Sequence, residues 1–129
     1  MSRVPIPGED LSNHYIFDPE THEVKRHVGS LTDWFRIMDG VTNKIMDSHV
    51  GDIHISTVFL GFDHSFGGSR DPVLFETMIF GGGPEYDEYQ ERYHTYNDAI
   101  RGHEEIVDVV SNELPLKRKP LRLKFKKDV

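Results

Sequence analysis

The chain has 129 residues, a formal net charge of −7 and no cysteine, which fits one domain with a sizeable core and excludes a disulfide framework, a thiolate zinc site and a cysteine nucleophile. No apolar run approaches the roughly 20 residues of a membrane helix, and the N-terminus MSRVPIPGEDLSNH lacks a signal-peptide core, so a soluble cytoplasmic protein without membrane contact is expected. From Met1 to Glu113 eight basic residues face 21 acidic ones, a balance of −13, whereas Leu114 to Val129 carry +6, so the body repels nucleic acid and the tail attracts it.

Residues 1–13, with two prolines and a glycine, read as an extended lead-in. His14 to Phe17 and His22 to Arg26 flank an Asp18-Pro19 turn and read as a short edge hairpin. Ser30 can cap a brief helix with Asp33 three residues on, and Gly40 can stop it. Leu31, Trp34, Phe35 and Met38 fall at helical spacing, a stripe expected to pack on a sheet with Trp34 in the core. Val41 to Gly51 is ambiguous, with a possible strand at Lys44 to His49.

The centre of the chain is a pair of strands within Asp52 to Phe80, joined across a glycine-rich break. Ile53, Ile55, Thr57 and Phe59 point one way and Ser56, Val58, Leu60 and Phe62 the other. Val73, Phe75, Thr77 and Ile79 then oppose Leu74, Glu76, Met78 and Phe80. Both faces of this pair are largely apolar, which is unusual for an antiparallel sheet with one wet face and suggests that a second copy of the chain covers one of them.

Gly81-Gly82-Gly83-Pro84 and the acidic residues after it read as a mobile loop, whose charge argues against phosphate binding. Tyr89 to His94 reads as a strand leading into the best-defined helix, about Tyr96 to Asn112, capped by Thr95 with Asp98 at its third position. Its stripe of Tyr96, Ala99, Ile100, His103, Ile106, Val107 and Val110 covers the sheet. His103 within that stripe reads first as a buried histidine with a hydrogen-bonded ring.

Pro115 prevents the helix from continuing. Beyond Pro120, Leu121, Leu123 and Phe125 alternate with Arg122, Lys124 and Lys126, the pattern of an amphipathic strand seeking a sheet edge of its own chain or a neighbour's. The organisation expected is thus a lead-in over 1–13, one α+β domain over 14–113 and a basic strand-forming tail over 114–129. The domain is read as an antiparallel sheet of four to six strands with one short and one longer helix.

No H-E-x-x-H, G-x-S-x-G or Walker loop is present, so no catalytic motif is complete. His54 and His64 lie about 33 Å apart if their strand is continuous and cannot share a metal. Asp63, His64 and Glu76, with Arg70 nearby, are the residues closest to a polar site, and no cofactor or metal is assigned. Lys117, Arg118, Lys119, Arg122, Lys124 and Lys126 are candidates for nucleic-acid or partner contact.

The block Ile55 to His64, Leu74 to Phe80, Glu91-Arg92-Tyr93, Thr95, Ala99 and Gly102-His103 resembles small uncharacterised proteins encoded by tailed bacteriophages and prophages. The resemblance implies a context, the infected bacterial cytoplasm, and no established activity. It implies an accessory protein that binds a host protein or a small nucleotide-like ligand, in some cases countering host defence. It makes Asp63, His64, Glu76, Arg92 and His103 the ligand-binding candidates, although Glu76 and Arg92 also read as a structural ion pair between strands. The leading expectation is a non-catalytic, homo-oligomeric binding protein. A nucleic-acid-associated protein using the tail and a small metal-dependent hydrolase are the alternatives.

Overall fold

The structure is a computed structural model and describes residues 13–39, 43–64 and 71–116. The lead-in up to residue 12, Arg70 and the tail residues Lys117, Arg118, Lys119, Arg122, Lys124 and Lys126 lie outside the described residues.

Alternation of apolar side chains builds the sheet. β3 (Lys44–Val50), β4 (Ile53–Phe59), β5 (Phe75–Phe80) and β6 (Gln90–Tyr93) form a four-stranded antiparallel sheet in chain order. A two-residue Gly51-Asp52 turn joins β3 to β4, so the ambiguous stretch before Gly51 is an edge strand with a register shift between Lys44 and Met46. A separate hairpin pairs β1 (Tyr15–Phe17) with β2 (Val24–Arg26). The α+β architecture with a four-stranded antiparallel sheet is therefore as expected.

α3 (Tyr96–Ser111) crosses one face of this sheet, capped at its start by Thr95, whose side chain accepts from the Asp98 amide. Beneath it Ile55, Thr57, Phe59, Phe75, Thr77 and Ile79 are all buried. We call this the inner face. The apolar residues there form two clusters: Phe59, Phe75 and Ala99 belong to one with Phe17 of the hairpin, and Ile55, Ile79, Ile106 and Val110 belong to the other.

The outer face differs from the sequence expectation. Val58, Met78 and Phe80 are apolar there, but the edge strands bring Asp47, His49, Gln90 and Arg92 alongside His54, Ser56 and Glu76. The apolar character read for the central pair stops at its neighbours, so this face has the mixed composition that an antiparallel sheet can turn to water.

The strand after Ile53 also ends earlier than expected. Gly61 has φ of 82° and a Cβ there would come within 2.8 Å of the Trp34 ring, so the chain turns where only glycine fits. Trp34, in α1 (Leu31–Met38), is 5 % exposed, as expected of a core residue, and its indole N–H donates to the Tyr15 carbonyl (2.9 Å). Met38 packs against the cluster of Phe59 and Phe75, but the other half of the expected stripe does not reach the sheet: Leu31 and Phe35 are 48 % and 56 % exposed. The helix is only eight residues long and is seated through Trp34 against His14, Phe62 and Gly61 at the end of the hairpin.

The glycine-rich stretch read as a loop contains one helical turn, α2 (Gly83–Tyr86). Pro84 suits its first turn, Tyr86 is buried in the second apolar cluster, and the Asp87 carboxylate accepts from the Gly81 amide (2.7 Å). These contacts fix a segment whose composition reads as open loop.

Candidate functional site

Two polar residues interrupt the inner face at matching positions. On β4, Thr57 lies between Ile55 and Phe59; on β5, Thr77 lies between Phe75 and Ile79; the two threonines are register partners. His103 of α3 sits over them and is 1 % exposed. A polar layer thus runs across the sheet between the two apolar clusters.

Its hydrogen bonds form one chain. The Tyr93 hydroxyl donates to Thr77 Oγ1 (3.0 Å), Thr77 Oγ1 and Thr57 Oγ1 are 2.5 Å apart, Thr57 Oγ1 is 2.7 Å from His103 Nδ1, and His103 Nε2 is 2.8 Å from Ser48 Oγ. One arrangement of protons gives every hydroxyl in the chain's interior both a donor and an acceptor role: Thr77 donates to Thr57, Thr57 donates to Nδ1, and Nε2–H donates to Ser48. Burial, the main effect, holds the His103 pKa below the ordinary imidazole value, with Asp47 and Glu104 acting weakly in the opposite direction. The ring is therefore neutral near pH 7.

A serine 2.8 Å from an imidazole invites comparison with a nucleophile and its base. In the arrangement above, with Thr57 donating to Nδ1, the nitrogen facing Ser48 carries the hydrogen and does not take the serine's proton; the opposite tautomer would reverse these roles. Thr57 also offers no charge to stabilise an imidazolium, the role a carboxylate fills in a triad. His103 is buried with both ring nitrogens in hydrogen bonds, in keeping with the first reading of it.

Gly102, next to His103, completes the layer's packing. It is buried, and a Cβ there would overlap the Tyr93 ring. The small residue lets α3 approach β6 closely enough for the Tyr93 hydroxyl to reach Thr77.

The other sequence-derived candidates are dispersed. Glu76 and Arg92 are register partners on the outer face, joined by Arg92 Nε to Glu76 Oε2 at 3.0 Å, the cross-strand ion pair anticipated from the sequence. Asp63 lies beyond β4, where its Oδ1 accepts from the Val73 amide (2.9 Å). His64 Nδ1 is 2.9 Å from the Phe62 carbonyl oxygen. His103 is on the inner face, separated by the sheet from Glu76 and Arg92. These residues do not converge on one cavity, and the described residues contain no group of three His, Asp or Glu placed to hold a metal.

A second polar group, not singled out from the sequence, lies on the outer face at β3. His54 Nε2 is 2.7 Å from Asp47 Oδ1, the rings of His49 and His54 stack with centroids 4.5 Å apart, and Lys44 Nζ reaches Asp47 Oδ2 at 2.9 Å. Hydrogen bonds from Lys44 and His54 lower the Asp47 pKa to about 2. The period-2 reading placed His54 on this face, but without the β3 register its partner was not visible.

Several exposed apolar residues lie on or beside α1, whereas Phe80 on the outer face and Leu114 after α3 are exposed elsewhere. Leu31 and Phe35 are one turn apart, Val28 just before the helix is 65 % exposed, and Ile37 on the opposite flank is 44 % exposed. No helix among the described residues is long and apolar enough to cross a membrane.

No family model, curated protein or solved structure matches the chain.

Proposed function

We propose that the protein is a non-catalytic binding protein of the phage accessory type, acting in the bacterial cytoplasm, whose target is another protein engaged through Val28, Leu31 and Phe35. The observation that carries this reading is the state of α1. Trp34 anchors the helix inward while Leu31 and Phe35 stand about half exposed on it. A helix already held in place presents these side chains without further ordering cost, the condition under which apolar contact contributes most to affinity. Covering the exposed half of such side chains is worth about 1 kcal/mol each. A nucleotide-like ligand is less well supported, because the polar candidates are spread over both faces of the sheet.

Photo-crosslinking from position 35 in the cells that produce the protein, followed by reconstitution with the purified target, tests the proposal. The expected result is a one-to-one complex that Leu31→Glu with Phe35→Glu weakens roughly tenfold or more, as for loss of an interface anchor. Target binding insensitive to both changes overturns it. So does crosslinking only to a second copy, with a mass that rises with concentration; that result would assign the patch to the homo-oligomer expected from the sequence.

A further inference from the structure

A groove of about 300 Å³ lies between α3 and the start of β6. Ile106, Val109, Leu114 and Leu116 give it an apolar floor. Its banks are acidic, with Glu105 and Asp108 on α3 and Glu91 on β6. The Tyr86 hydroxyl donates to the Leu114 carbonyl (2.7 Å), which fastens the chain at the groove's end.

Leu116, the last of the described residues, itself lines this groove. Of the 13 residues that follow Leu116 in the sequence, seven are Lys or Arg. Their sequence carries the complementary pattern: Leu121, Leu123 and Phe125 alternate with Arg122, Lys124 and Lys126.

We infer that the groove is the docking site of the chain's own C-terminal segment, Leu121 to Lys126. The apolar members lie on the floor and the basic members meet the carboxylates of the banks. Reach favours the segment of the same chain. Residues 117–120 span at most about 13–14 Å when extended, and the six residues after them about 20 Å, against about 24 Å for the length of α3. A tether this short gives an effective concentration on the order of millimolar, above any ordinary concentration of a neighbouring copy. The same docking holds the basic groups on an acidic surface and away from nucleic acid. This inference is independent of the α1 reading.

The chain has no cysteine, so paired substitutions give an unambiguous readout. Val109→Cys is combined in the full chain with Leu121→Cys, Leu123→Cys or Phe125→Cys, and each pair is oxidised with glutathione disulfide at micromolar protein. The expected product is an intramolecular disulfide, seen as a faster-migrating monomer, for at least one pair and unchanged on tenfold dilution. Covalent dimer alone, or no cross-link in all three pairs, overturns the inference.

A second arm uses the exposed residues of the bank. Glu105→Lys with Asp108→Lys lowers the cross-linking yield by roughly fivefold or more at low salt, and Lys124→Glu with Lys126→Glu restores it, as expected for charge pairs exchanged in sign. An unchanged yield in the reversed variant overturns the proposal. Tight binding of a fluorescent oligonucleotide by the wild-type chain at physiological salt, displacing the cross-link, also overturns it and assigns the tail to nucleic acid.

Discussion

The two faces of the central sheet are made by alternate residues of the same strands, yet they are held by different physics. On the inner face Phe59, Phe75, Ile55 and Ile79 are 1 % exposed or less, and the polar residues among them are joined into a single chain of hydrogen bonds. On the outer face the interactions are pairwise and only partly sheltered, as in Asp47 with His54 and Glu76 with Arg92. The inner face specifies the fold, because an error there strands a buried group. Losses on the outer face are repaired by solvent.

The widest separation between the faces is expected from two phenylalanines on one strand. Phe75 is fully buried, while Phe80, five residues on and on the opposite face, is 45 % exposed. Phe75→Ala removes a ring from the core and leaves a cavity, so a loss of about 3–5 kcal/mol is expected. Phe80→Ala forfeits partial burial and is expected to cost less than about 1 kcal/mol. Urea denaturation of both variants checks the difference, and equal losses would show that the outer face is covered.

The polar layer should respond to acid before the outer carboxylates do. The folded pKa of His103 lies below its unfolded value of 6.5, and so does that of His14, which is lowered by burial and then by His27. As pH falls below 6.5 the unfolded chain takes up these protons first, so stability is full above that value and declines below it. Each such group contributes a slope of at most about 1.4 kcal/mol per pH unit. Asp47 behaves separately: its pKa of about 2, against an ordinary 3.8, means that its contribution is present above 3.8 and is lost as pH drops toward 2. Chemical denaturation from pH 8 to 4 is expected to show a decline in stability from pH 6.5 downward, shallower in a His103→Gln variant. A flat profile over that range would mean that His103 stays solvated.

The main elements were legible in the sequence because their signals are local. Thr95 and Asp98 mark the start of α3, the apolar stripe identifies its inner side, and period-2 alternation places Thr57 and Thr77 beside Ile55 and Phe75. What was not legible is long-range. Ser48 meets His103 across 55 residues and Thr57 meets it across 46, and neither pairing leaves a trace in spacing. A partial signal existed, since two threonines and a histidine on faces otherwise apolar could have been read as partners. Leu31 and Phe35 show the opposite limit. Helical periodicity identified an apolar stripe, but how much of it finds something to pack against depends on where an eight-residue helix is seated. Arg70 and residues 117–129 fall outside the described residues.

The smallest expected effect is on the outer face, at the one ion pair read correctly beforehand. Glu76 and Arg92 are only 14 % and 27 % exposed at their side chains, more sheltered than Asp33 with Arg36 on α1, where both groups are more than half open to solvent. Shelter strengthens the attraction between the charges but also raises the cost of removing them from water, and the two changes largely cancel. A double-mutant cycle with Glu76→Gln and Arg92→Gln is therefore expected to give a coupling below about 1 kcal/mol, reduced further in molar salt. A coupling of about 3 kcal/mol or more would place this pair in a dry environment. It would mean that another surface, from this chain or a partner, closes over the outer side of the sheet.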